Sequence, residues 1–210
     1  MLIFVSIMIY FKLILDSILS PKLVFQKVLN YEIKPSILIE AVLFISIINA
    51  LFTYTSNYLI YSNGQPDESI FMLYYENILK KPILLVFLEV LKIFIITSLA
   101  TYIGKFFGGK GTFINLLKCV AWIHYILLFI NILLFFLIIL NIYVASYLIM
   151  LTNIWIIWAL SECAARAHGF SSTFLVFVTG IFILLLLIVF LLQILNSSDF
   201  ILVERVGSNA

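Results

Sequence analysis

The run VFLEVLKIFIITSLA, residues 86–100, is apolar but for a few weakly polar groups and one acid and one base, Glu89 and Lys92. It belongs to a longer apolar stretch from Pro82 to Phe106. About 20 helical residues suffice to cross the ~30 Å hydrocarbon core of a bilayer, so this stretch reads as a membrane span. Glu89 and Lys92 stand three apart, and on a helix they share a face. Counted from Pro82 at about 1.5 Å per residue, Lys92 lies about 15 Å into the core. An isolated charge at that depth costs at least about 2.5–3.5 kcal/mol. Ion pairing recovers part of this cost if the shared face turns toward protein or a watered cavity. The stretch therefore predicts a helix bundle with this face inward.

Composition extends that reading to the whole chain. Of 210 residues, 65% are hydrophobic and 10% charged, and the mean hydropathy is +1.24. Soluble domains carry about a quarter charged residues. The chain reads as an all-α polytopic membrane protein with no sizeable soluble domain. A net charge of +2 leaves no nucleic-acid footprint. Cys119 and Cys163 form no spaced pattern and fall in apolar helices, so no disulfide framework or zinc site is implied. MLIFVSIMIYF at the N-terminus lacks the basic region and small-residue cleavage site of a secretory signal, and is read as part of the mature protein.

Three regions follow: an interfacial, amphipathic segment over 1–34, five spans within 35–196, and a short polar tail over 197–210. Residues 1–15 fall below spanning length and read as an interfacial or half-inserted helix. Ser20-Pro21 reads as an N-cap and first-turn proline. The following LVFQKVLN puts Leu23, Val24, Val28 and Leu29 on one face, suited to lie along the headgroups. The spans are expected at about 36–58, 82–106, 113–140, 142–165 and 172–195. Between the first two stand a turn-rich loop, 62–69, and a short tyrosine-bearing helix, 70–81.

Charge then orients the bundle. Lys12, Lys22, Lys27, Lys34, Lys105, Lys110, Lys118 and Arg166 fall on one side; Lys80, Lys81 and Arg205 fall on the other. The positive-inside rule places the N-terminus in the cytoplasm, with the plasma membrane as the expected location.

The candidate intramembrane polar site comprises Glu89, Lys92, His124 and Glu40. His124 lies about 16 Å into the third span, level with Lys92, so one cavity would hold both. Glu40 lies about one turn inside the first span. Against this stands a packing reading, in which Glu89 and Lys92 neutralise each other and His124 is a hydrogen-bonded core residue. Asn49, Asn131 and Asn153 are explained by interhelical hydrogen bonds. Glu162 and Arg166 form an i, i+4 pair near the cytoplasmic surface, with Gly169 as the C-cap.

GKFFGGKGT, 104–112, has the Gly-x4-Gly-Lys spacing of a phosphate loop. Gly111 stands where Ser or Thr should hold the metal, and a span rather than a strand precedes it, so nucleotide binding is rejected. No catalytic triad, acidic metal cluster or nucleophile elbow is visible; no cofactor, metal or catalytic residue is expected.

ILSPKLVFQKV (18–28), GGKGTFINLLKCVAWIHYILL (108–128) and IWIIWALSECAARAHGFSSTFLVFV (154–178) resemble the Yip family of Ypt-interacting proteins, in particular its short prokaryotic members. The turn Gly108, Gly109, Lys110, Gly111 carries the family motif. The resemblance covers about 15–196 and implies five spans with a cytosolic N-terminus. Eukaryotic relatives associate with small GTPases in vesicle traffic. This chain departs from them in lacking the long cytosolic N-terminal region and a third-span proline after a Gly-Tyr step. An Ile, Leu, Asn, Lys and Tyr bias also suggests an AT-rich prokaryotic source. The resemblance implies a non-enzymatic protein that organises the membrane through contacts with lipid and with other membrane proteins or its own copies. A small conduit using Glu89, Lys92 and His124, or an accessory subunit of a larger complex, are the alternatives.

Overall fold

Proline marks where the chain turns helical. Its missing N–H costs nothing in a first helical turn, whose amides have no partners there. Helices begin at Pro21, Pro35 and Pro82. The computed structural model describes residues 12–62 and 81–207. Within them, residues 12–19 form a short helix, and Pro21–Asn30 a lead-in helix. Five longer helices are apolar enough to cross a membrane: Pro35–Ser56, Pro82–Phe106, Phe113–Leu140, Ile142–His168 and Thr173–Phe190. These are the five expected spans, and the described residues are otherwise turns and helix.

Side-chain caps fix the joints. Thr112 accepts the Asn115 N–H at 3.3 Å to open the third span. Asn141 ends that span and opens the next, accepting the N–H groups of Tyr143 and Val144 at 3.0 and 3.2 Å. Gly169 closes the fourth span in the left-handed region at φ 76°, open to glycine without Cβ strain. The fourth helix therefore runs to His168, past the expected end at residue 165. The backbone of the fifth continues helical to Gly207, through the stretch expected as a tail.

The third span is the hub. It packs on the first, second and fourth spans, and the fifth packs mainly on the fourth. Leu116, Leu117, Val120, Ile123 and Ile126 fill the centre. The lead-in helix rests on the third and fourth spans through Val24 and Phe25, both fully enclosed. Leu23, expected on that face, is instead exposed. Pro21, Val24, Phe25, Val28 and Leu29 follow the i, i+3, i+4 rhythm of one helical face, and Leu23 falls opposite it. Ser20 holds the N-cap position without a side-chain bond. Trp122 Nε1 donates to Ser17 Oγ at 3.0 Å and Lys118 Nζ to the Tyr31 carbonyl at 2.7 Å, which fastens residues 12–31 to the hub.

Residues 1–11 of the expected interfacial helix, the loop from residue 63 and the helix of 70–80 lie outside the described residues. One end of the bundle, hereafter the glycine end, carries the turns 107–112 and 169–172. The far end carries Asn141 and the start of the second span.

Candidate functional site

Helical rise places the polar residues of four spans between mid-depth, at His124, and the far half of the bundle. Glu89 and Lys92 come from the second span, His124 and Asn131 from the third, Asn49 and Thr53 from the first, and Thr152 and Asn153 from the fourth. All eight line one cavity of about 330 Å³. Leu134, Ile138 and Ile149 continue its wall toward the far end.

Lys92 Nζ and Glu89 Oε2 lie 2.6 Å apart, the two side chains 47% and 18% exposed. The ion pair is therefore formed, and it looks onto the cavity rather than into packed side chains. Asn49 connects two spans: its Nδ2 donates to the His124 carbonyl at 3.3 Å, and its Oδ1 accepts from Asn131 Nδ2 at 3.1 Å. Ion pair and amides together give a wall with donors and acceptors and no formal net charge. Such a wall suits a small polar or zwitterionic group.

The structure brings Glu89, Lys92 and His124 together, as their matched depths suggested. Glu40 stands apart. It is exposed near the start of the first span, nine residues before Asn49 and about 13 Å from it by helical rise, and it does not line the cavity.

Toward the glycine end the bundle is packed with apolar side chains. Phe25, Leu116, Cys119, Ile123, Ala159 and Cys163 form one cluster; Leu38, Val42, Ile93, Leu117, Val120 and Ala121 form another. Beyond them the Gly108–Gly111 turn closes on His168. Gly111 N–H donates to His168 Nδ1 at 3.0 Å, and His168 Nε2 lies 3.2 Å from the Ala100 carbonyl. The Gly111 amide can only donate, so Nδ1 accepts and Nε2 carries the proton, in the neutral tautomer. Lys110 N–H donates to the His168 carbonyl at 3.1 Å and Gly109 N–H to the Gly104 carbonyl at 2.9 Å. Phe170 stacks on the imidazole with ring centroids 5.5 Å apart. Gly104, Gly109 and Gly111 each face the ring so closely that a Cβ would collide with it. The motif glycines thus form a cradle for a histidine, and their amides are committed within the protein rather than presented to a phosphate.

Sequence reasoning missed His168, since a histidine in a last helical turn reads as a complement to the helix dipole. The available signal was four glycines within eight residues, 104–111, too many for flexibility alone.

Glu162 and Arg166 pair at 2.7 Å, but not at a surface: their side chains are 5% and 17% exposed. Arg166 also donates from Nη2 to Thr173 Oγ1 at 3.2 Å. The start of the fifth span sits against the pair, which a hydropathy reading could not foresee. Cys119 and Cys163 are free and buried. Among the described residues no group of three His, Cys, Asp or Glu side chains is placed to hold a metal.

A hub-centred bundle of five apolar spans, with a polar cavity in one half and a glycine-cradled histidine at the other end, defines a polytopic membrane protein. Residues 15–194 match the Yip1 domain, and the chain belongs to that family. Members of the family are generally non-enzymatic membrane proteins. Neither curated proteins nor solved structures give a match.

Proposed function

We propose that the chain is a non-enzymatic, non-conducting Yip-type protein that organises its membrane by binding a small polar or zwitterionic group, such as a lipid headgroup, in the far-half cavity. The observation that carries this reading is the contrast between the two halves of the bundle. A charged and amide-bearing cavity spans the far half, whereas apolar packing around Ile93, Leu117, Val120 and Ile123 fills the way toward the glycine end. The polar lining does not run from end to end, as it would along an open aqueous pore; a concave pocket with a few convergent polar groups is the usual form of a binding site.

In this reading the protein resides in a prokaryotic plasma membrane with its N-terminus and glycine end cytoplasmic, supported by the lysine and arginine distribution. Further partners are other membrane proteins or a second copy of the chain.

The test combines flux and retention. Proteoliposomes of the full chain should hold a potassium gradient and a pH gradient as well as empty vesicles do. Protein extracted from native membranes should retain one lipid headgroup class above its bulk abundance, and the Glu89→Leu/Lys92→Leu variant should lose that enrichment. Gradient collapse, or retention that ignores the double substitution, contradicts the proposal.

A further inference from the structure

We infer that a second, apolar cleft near the glycine end holds one acyl chain of a phospholipid from the leaflet on that side. This site is separate from the polar cavity and does not depend on its reading.

The cleft, about 560 Å³, lies among the second, third, fourth and fifth spans. Ligand pockets run roughly 300–1,000 Å³, so it is large enough for a chain. It exists because the fifth span packs mainly on the fourth, leaving a wedge toward the second. Small residues widen that wedge: Ala100 on the second span, Ala164 on the fourth, Gly180 on the fifth. A Cβ placed on Gly180 meets nothing within 4 Å.

Its length selects the occupant. On the fifth span the lining runs from Ser172 to Leu184, about 18 Å by helical rise, and on the second from Phe107 to Ile96, about 16 Å. Each is close to half of the ~30 Å hydrocarbon core. A transmembrane helix from a partner or a second copy would need a groove along the whole core, whereas an acyl chain occupies one leaflet. Polarity follows the same direction. The hydroxyls of Ser171 and Ser172 and the rings of Phe107 and Phe170 stand at the mouth, at headgroup level. The deep end is Ile96, Ile183 and Leu184. Ser161 and Thr179 also line the cleft, the Ser161 hydroxyl donating to the Ile157 carbonyl of its own helix at 2.8 Å. With hydroxyls at the rim and a largely apolar interior, the cleft matches one lipid tail from its ester to its terminal methyl. A chain seated there is walled by four helices, so it should exchange more slowly than lipid on the open face around Leu187–Phe190.

The experiment uses the full chain in vesicles of phosphatidylcholine carrying a diazirine midway along one acyl chain, with crosslinked peptides mapped by mass spectrometry. Label should concentrate on residues 96–107 and 175–184. Gly180→Leu should reduce it to the level of the Leu187–Phe190 face by filling the cleft. Gly180→Ala, which leaves the cleft open, should retain it and serves as the folding control. Uniform labelling around the fifth span, or label in Gly180→Leu equal to the wild type, overturns the proposal. Efficient disulfide formation between two copies of Gly180→Cys in the membrane also overturns it, assigning the cleft to a second copy.

Discussion

His168, the last residue of the fourth span, accepts the backbone N–H of Gly111 on Nδ1 at 3.0 Å. This bond joins the turn between the second and third spans to the end of the fourth, 57 residues away. With Nε2 facing the Ala100 carbonyl and Phe170 stacked on the ring, the imidazole has no room to move aside.

Glycine is therefore required at three positions for space rather than flexibility. A methyl at Gly111 would fall 2.8 Å from Cε1 and Nδ1, and those at Gly104 and Gly109 would fall closer still to the ring. Gly104→Ala, Gly109→Ala and Gly111→Ala should each lose about 1–3 kcal/mol, the usual cost of overpacking. Thermal unfolding in detergent checks this, with Gly180→Ala as a variant that loses nothing. Equal melting temperatures across the four would refute the cradle.

Replacing the histidine tests the same joint from the other side. His168→Leu keeps the bulk but orphans the buried Gly111 N–H, at about 1–3 kcal/mol. His168→Asn, whose side-chain oxygen reaches a similar position to Nδ1, should recover part of the loss. Hydrogen exchange at residues 108–112 should rise in the leucine variant and less in the asparagine one.

For Glu89 and Lys92 the signature is non-additivity. Glu89→Leu leaves the half-exposed Lys92 ammonium unpaired at mid-depth and should lower stability. The double Glu89→Leu/Lys92→Leu variant removes both charges and should be close to wild type in stability, as replaced ion pairs often are. A double variant as unstable as the sum of the two singles would show that each residue has other essential partners.

Glu162 and Arg166 are expected to matter more than a surface pair. Glu162→Leu strands a largely buried guanidinium and should cost about 3–5 kcal/mol. Thr173→Val removes only the outer hydrogen bond, about 0.5–1.5 kcal/mol, and should loosen the start of the fifth span. Protease sensitivity of the 169–172 turn separates the two effects.

Much of the architecture was legible because hydropathy and joints are local signals. Pro82 and Gly169 each mark a helix end by their own chemistry, and the second and third spans begin and end where the sequence places them. The pairing of Glu89 with Lys92 followed from spacing, and their shared depth with His124 from helical rise. Which face a helix presents was harder to read. Leu23 and Phe25 are equally apolar, and only docking on the third and fourth spans decides that Phe25 is the anchor. Glu162 reads as a surface residue until the fifth span is placed against it. His168 depends on three glycines from a different helix and turn, a relationship no local pattern encodes.

The central claim is a polar cavity that is open toward one side of the membrane and blocked toward the other. The most direct measurement is labelling of Asn131→Cys in oriented vesicles by a membrane-impermeant maleimide. The native Cys119 and Cys163 are fully buried and should provide a silent background. Expected is modification from the far-end side alone, with no reaction when reagent is added at the glycine end. Equal modification from both sides would reveal a through-path, and no modification from either side would mean that water never reaches the cavity; each contradicts the claim.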